Sequence, residues 1–114
     1  DFFGTEAQAK LIALAQEYID LPVFPRLEQN YPNPFNSSTT IQYLIVESGL
    51  VELDIYDLTG QKIKTLINDH QEPGAHEIYW DGTDGQGLKV STGIYLTTLR
   101  APNFFKVRKM ILMK

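Results

Sequence analysis

The sequence contains no cysteine, and none of its apolar runs approaches the roughly 20 residues that a membrane-spanning helix needs. Disulfide bonds, thiolate metal sites and a transmembrane helix are therefore not expected. The compartment stays open, since many secreted bacterial proteins also lack cysteine. No basic and apolar leader begins the chain, so we expect either that a leader has been removed or that the chain is an excised piece.

Groups suited to catalysis are also scarce. His70 and His76 are the only histidines, and no serine stands in a nucleophile motif beside them. The stretch "DGTDGQG" carries Asp81 and Asp84, but no glutamate follows them as in a helix-loop-helix calcium site. Glycine and aspartate also suit tight turns, which is the interpretation we favour. We therefore predict no enzymatic activity, no metal and no cofactor.

The charge is distributed unevenly along an acidic chain. The formal net charge is −4, yet residues 105–114 contain four basic residues and no acid, which leaves −8 for the rest. A basic end on an acidic body indicates an anionic partner for that end. Alternatively, lysines on a solvated edge strand deter unwanted strand pairing. Because the protein is acidic overall, we predict no nucleic-acid partner.

The first 27 residues have the pattern of an amphipathic helix followed by a stiff linker. Thr5 and Gln8 fit a capping box, and apolar residues recur at helical spacing until Pro22. "LPVFPRL" is then typical of an extended connector, because proline fixes its own backbone angle. A lone helix of this length is marginal and must pack against its own domain or another chain. Self-association would use Phe2, Phe3, Leu11, Leu14 and Tyr18.

From residue 28 onward, apolar and polar residues alternate, as in strands with one buried face. Strands are predicted in "IQYLI", "VELDIY", "QKIKTLI", "AHEIYW", "STGIYLTTLR" and "FFKVRKMILM", with a loop at "NDHQEPG". A further short strand near Lys89 and Val90 would bring the number to about seven, the pattern of an antiparallel sandwich. Trp80, the only tryptophan, is predicted to lie in the middle of its core.

Four motifs, in this order, carry a resemblance to a known family. They are "LEQNYPNPFNSSTTIQYLI", "VELDIYDLTGQKIKTL", "GAHEIYWDGTDGQGLKVSTGIYLTTL" and the basic last strand "KVRKMILMK". Residues 28–114 resemble the type A C-terminal sorting domain of the type IX secretion system, which is related to the immunoglobulin-like domain of flagellar hook-capping proteins. The stretches "SSTTI" and "IVESG" lack prolines that this family often has, and residues 1–27 lie outside the resemblance.

The resemblance implies an all-β fold, an immunoglobulin-like antiparallel β-sandwich of about seven strands. We predict two domains, the N-terminal amphipathic α-helix with its linker (1–27) and the sorting domain (28–114). Tyr31 and Phe35 are expected to plug the sandwich from the side, while Pro32 and Pro34 hold the backbone between them extended. The fold-defining positions implied by the family motifs are Tyr31, Pro32, Asn33, Pro34, Phe35, Gly60, Trp80, Asp81, Gly82, Gly93 and Tyr95.

A function is also implied by the resemblance. Such domains direct export across the outer membrane by the type IX machinery, after passage through the inner membrane with a removable leader. A sortase-type peptidase commonly removes the signal and links the cargo to an anionic lipopolysaccharide; otherwise the protein is released. The chain would then be secreted or held on the outer surface of a Gram-negative bacterium. The residues expected to be recognised are Lys106, Arg108, Lys109, Met110, Leu112 and Lys114.

Two other functions remain open from the sequence. The chain would act as a self-assembling extracellular subunit, in a filament or sheath, if its helix grips a neighbouring copy. It would act as a carbohydrate-binding accessory module if Tyr56, Tyr79 or Tyr95 were exposed as stacking platforms.

Overall fold

The computed structural model describes residues 23–114, which form two antiparallel sheets and contain no helix. The seven strands are β1 (Arg26–Leu27), β2 (Thr39–Ile45), β3 (Gly49–Asp57), β4 (Lys62–Gln71), β5 (Gly74–Trp80), β6 (Gly93–Ala101) and β7 (Phe104–Leu112). One sheet has the order β1-β2-β5 and the other β4-β3-β6-β7. The all-β prediction is confirmed for this part of the chain.

The N-terminal helix and the five residues proposed for self-association, Phe2, Phe3, Leu11, Leu14 and Tyr18, lie outside the described residues. From residue 23 to residue 114 there is no helix with the length and apolar character needed to cross a bilayer.

Inward-facing residues from both sheets enclose one core. On β2 and β3 the apolar members of the alternating pattern are buried, as the pattern predicted. Trp80 is fully buried in this core, with its ring centroid 5.5 Å from that of Phe35 and 5.3 Å from that of Tyr95. The remaining buried apolar residues of the core are Leu27, Ile41, Tyr43, Ile45, Val51, Leu53, Ile55, Ile67, Leu99, Ala101, Met110 and Leu112.

Two strand predictions were wrong. Asn68 to Gln71, predicted as the start of a loop, continue β4 in register with β3. Their polar side chains are compatible with a strand because β4 is the edge of its sheet, where solvent reaches them. Lys89 makes only an isolated bridge to Thr83, and the seventh strand is instead Arg26–Leu27, which we predicted as part of the linker.

The expectation that Tyr31 plugs the sandwich was also wrong. Its side chain is 80% exposed, whereas that of Phe35 is 2% exposed. Tyr31 forms a bridge opposite Thr40, which lies between the inward-facing residues Thr39 and Ile41. Directly opposed residues share one face of a sheet, so Tyr31 points outward with Thr40. The peptide bonds before Pro32 and Pro34 are both cis. Residues 32–34 form a bend, so the expectation that the prolines hold this segment extended was wrong.

Candidate functional site: the terminal strand and its clasp

Strand β7 is the last strand of the four-stranded sheet and carries most of the residues expected to be recognised. Met110 and Leu112 point into the core and are buried, because they occupy the inward positions of the alternating pattern. A partner that meets the folded domain therefore does not touch these two side chains. Their contribution is to anchor the strand.

Residues 29–35, which we call the clasp, run along the outer edge of β7. Phe35 donates its N–H to the carbonyl of Ile111 and accepts a bond from the N–H of Met113, both at 2.9 Å. The amide oxygen of Asn33 accepts the N–H of Ile111 at 2.9 Å. Gln29 donates its side-chain amide to the carbonyl of Lys109 at 2.7 Å. The clasp thus covers the second half of the terminal strand.

A buried polar cluster gives the clasp its shape. The side-chain amide of Asn30 donates to the hydroxyl of Thr39 at 2.9 Å and to the carbonyl of Pro32 at 3.2 Å. The Thr39 hydroxyl donates to the same carbonyl at 2.8 Å. Both side chains are buried, and leaving either unpaired there would cost free energy. Gln29 and Asn30 were not predicted as part of the site; the signal for them in the sequence is a pair of polar side chains directly before the aromatic motif.

The Trp-Asp-Gly turn supports the same end of the sandwich. Trp80 donates its indole N–H to the carbonyl of Thr83 at 2.9 Å, and Gly82 has a positive φ of 73°. The Thr83 hydroxyl donates to Asp81 and, with a smaller contribution from the ammonium of Lys64 at 3.7 Å, lowers the pKa of the Asp81 carboxyl. These contacts hold the turn that packs below Leu112, whose side chain approaches the Gly82 position.

The other family motif positions serve the fold. Gly60 has a φ of 91° in the turn after β3, where hydrogen bonds from Thr59 and Gln61 lower the pKa of Asp57. Gly93 begins β6 opposite Leu112. Tyr95 is buried and donates its hydroxyl to the carbonyl of Ser91 at 2.6 Å.

The four cations expected to be recognised, three on β7 and Lys114 just after it, divide into two groups. Lys106 and Lys109 have exposed side chains on β7. Arg108 is half-buried and donates its Nε to the carbonyl of Leu27 at 2.9 Å, which ties β7 to β1 of the other sheet. Lys114 donates its ammonium to the carbonyl of Val90 at 2.6 Å. Lys106 and Lys109 are therefore the cations best placed to meet a partner.

The first half of β7 has an open edge. In an antiparallel pair, alternate residues direct their N–H and C=O toward the partner strand and the residues between direct them away. Ile111 directs its backbone groups away from β6 toward the clasp, so Val107 and Phe105 in the same alternation also direct theirs outward. The clasp does not reach these two residues, and no other described segment bonds to them.

Other sites considered from the sequence receive little support from the geometry. Residues 23–114 contain no group of three His, Cys, Asp or Glu side chains that would hold a metal ion. Tyr79 is 63% exposed on β5, whereas Tyr56 lies half-buried on β3 of the other sheet. Tyr95 is buried, so it does not offer a stacking platform for a sugar.

The FlgD Ig-like domain family is the family whose sequence profile matches this chain, over residues 36–103. No curated protein matches the chain. Among solved structures, dimeric latent PorU from Porphyromonas gingivalis superposes with a TM-score of 0.58 and 24% identity, over 80% of this chain and 10% of that one. PorZ, described as an essential bacterial surface component of the type IX secretion system of the same organism, has a TM-score of 0.55 and 21% identity, over 79% and 11% of the two chains.

FlgD from Xanthomonas campestris, described with hook capping essential for flagellar assembly, has a TM-score of 0.50 and 22% identity, over 76% of this chain and 65% of that one. These similarities establish a shared fold. The chain spans about a tenth of the length of PorU and of PorZ.

Proposed function

The chain belongs to the family of FlgD Ig-like domains, and we propose that it is a non-enzymatic C-terminal sorting module of the type IX secretion system, type A. The module directs an attached protein across the outer membrane of a Gram-negative bacterium, where the product is anchored or released. Its partners are the outer-membrane machinery and its sortase-type peptidase. PorZ, which shares the fold, is a surface component of that secretion system, and this supports the assignment.

The observation that carries the proposal is the position of the cations on the folded domain. Lys106 and Lys109 are exposed on an edge strand, while Met110 and Leu112 of the same strand are anchored in the core. A folded domain with this arrangement offers a fixed basic surface at its terminal strand. In our proposal the machinery recognises that surface rather than an unfolded tail.

Deleting residues 107–114 is a poor test, because it removes Met110 and Leu112 from the core along with the cations. A sharper experiment fuses the full chain to a secreted reporter in a host with a type IX system. One variant carries Lys106→Gln and Lys109→Gln. Its matched control carries Lys62→Gln and Lys89→Gln, two exposed lysines elsewhere, so the net charge changes equally.

We expect the first variant to accumulate in the periplasm and the control to be exported like the original chain. Thermal unfolding of both purified variants verifies that the domain still folds. Equal export of the two variants would contradict recognition through the terminal strand.

A further inference from the structure

We propose that the open edge of β7, centred on Phe105 and Val107, binds an acidic, extended peptide segment of a partner protein by adding it to the four-stranded sheet as a fifth strand. The inference deepens the proposed function, on which it rests for its cellular role. It names the chemistry of what the terminal strand recognises.

Within residues 23–114, the backbone of β7 carries unpaired donors and acceptors along its open edge. Phe105 and Val107 direct their N–H and C=O groups outward from the last strand of the sheet, and no other described segment bonds to them. A row of such groups is a template for a further strand, which native proteins usually cover or protect. Here the clasp covers the edge only from Lys109 onward. The uncovered stretch, Phe104–Arg108, spans about 17 Å at about 3.4 Å per residue.

Charge decides which strand fits. Strand β7 carries Lys106, Arg108 and Lys109 and no acidic residue. Pairing two copies edge to edge through β7 would place these cations close to one another, and like charges on adjacent strands are unfavourable. A strand with glutamate or aspartate at alternate positions would instead place all its carboxylates on one face, beside Lys106 and Arg108, which alternate on that face of β7. The acidic strand of another protein is therefore the occupant that this edge favours over a second copy paired through β7.

Two exposed apolar side chains beside the open edge, Phe105 and Val107, can contact apolar residues of an added strand. Phe105 is 53% exposed and Val107 is 40% exposed, both on the outer face of the sheet. The guanidinium of Arg100 lies 4.8 Å from the centre of the Phe105 ring, a cation–π contact that holds the ring against the sheet. A strand that alternates acidic and apolar residues would place its apolar side chains next to Phe105 and Val107. Strand addition of this kind draws affinity from backbone bonds and specificity from alternate side chains.

An anionic lipid or polysaccharide would satisfy only part of this surface. Such a ligand neutralises the lysines, but it does not offer donors and acceptors at the spacing of a strand. The experiment therefore separates backbone pairing from charge. It uses the full chain and a short fluorescein-labelled peptide of alternating glutamate and valine, with binding followed by fluorescence polarisation at low and high salt.

Val107→Pro is the decisive variant. Proline removes the outward N–H and is tolerated on edge strands where that N–H faces solvent. Val107→Thr keeps the N–H and serves as its control. We expect Val107→Pro to weaken binding about tenfold or more and Val107→Thr to change it by less than about twofold, because lost backbone bonds and strand geometry affect only the first. Unfolding curves of both variants verify folding.

A second arm does not depend on the folding of any variant. A peptide of the same sequence with methyl groups on consecutive backbone nitrogens keeps every carboxylate and loses its hydrogen-bond donors. We expect it to bind far more weakly than the unmodified peptide. Amide signals of Phe105 and Val107 in nuclear magnetic resonance spectra should shift with the unmodified peptide and not with the methylated one.

Three results would overturn the inference. The first is the absence of binding by the unmodified peptide. The second is equal binding of the methylated peptide, which would mean that the surface attracts anions without pairing. The third is concentration-dependent self-association in sedimentation that Val107→Pro abolishes, which would make a second copy the occupant.

The reporter experiment fails independently of this one. If the peptide binds by strand pairing but Lys106→Gln with Lys109→Gln leaves export unchanged, the sorting proposal fails and the edge inference stands. If those substitutions block export and the peptide does not bind, the edge inference fails and the sorting proposal stands.

Discussion

The two halves of β7 share one alternating pattern but meet different neighbours. In the covered half, Lys109 to Leu112, the clasp bonds to the outer edge and two inward side chains enter the core. In the open half, Phe104 to Arg108, no described segment pairs with the edge, and Phe105 and Val107 are exposed. The same strand thus serves as an anchor at one end and as an accessible surface at the other. This difference arises from what packs beside the strand, since the strand geometry itself is continuous.

The largest effect is expected when the clasp loses its buried ring. Phe35→Ala should lower the free energy of unfolding by about 3–5 kcal/mol, because it leaves a cavity beside Trp80 and loosens the covered half. The matched control is Tyr31→Ala in the same motif. Because the Tyr31 side chain is exposed, this substitution should change the free energy of unfolding by less than about 0.5 kcal/mol. Urea unfolding measures both. Similar losses for the two variants would mean that the clasp does not anchor through Phe35.

A smaller loss is expected when one clasp hydrogen bond is removed. Asn33→Ala takes the acceptor away from the N–H of Ile111 and should cost about 0.5–1.5 kcal/mol, near the low end because water reaches this site. Hydrogen exchange at the Ile111 amide should accelerate, while the Val107 amide in the open half should be unaffected. Asn36→Ala, an exposed asparagine just beyond the clasp, is the control. Unchanged protection of Ile111 in Asn33→Ala would contradict the pairing described here.

The smallest effect concerns pH and the turn beneath the covered half. The pKa of Asp81 is lowered in the folded protein by the hydrogen bond from Thr83 and by Lys64, so the unfolded chain binds a proton at this residue more readily. The resulting stabilisation is present above the unfolded pKa and is lost as pH falls through the lowered folded pKa. Because the carboxyl is mostly exposed, the contribution is small.

Asp81→Asn should therefore reduce stability slightly at neutral pH and converge with the original chain in strong acid. Unfolding curves at a series of pH values measure the difference. A gap between the two proteins that stays constant down to strong acid would show that the charge of Asp81 is not the cause.

Several features of the fold could be predicted because they are local. Alternation in "IQYLI" and "VELDIY" identified buried faces correctly, and the single tryptophan was correctly predicted in the core. Polar residues at the end of β4 were misread as a loop, because a polar stretch looks the same in a loop and on an exposed edge strand. Arg26 and Leu27 were misread as linker, because a two-residue strand leaves no periodic signal.

The candidate site was predicted less completely than the fold. The sequence indicated the cations near the end of the chain. The alternation alone did not show that Arg108 and Lys114 bond to backbone carbonyls. It therefore did not single out Lys106 and Lys109 as the exposed cations on β7. It also did not indicate that the family motif beginning at Tyr31 covers that strand. Those contacts depend on segments far apart in the chain.

The pattern of residues was enough to predict a β-sandwich and the side of each main strand that faces the core, because side chains alternate along any strand regardless of its neighbours. Which strand lies at the edge, which half of it is covered, and where Tyr31 points depend on how the strands pack together. Asn33 and Ile111 are 78 positions apart and Gln29 and Lys109 are 80 apart, so their pairing exists only once both sheets have closed around the core. An edge is a relation between distant segments, and no local pattern of residues encodes it.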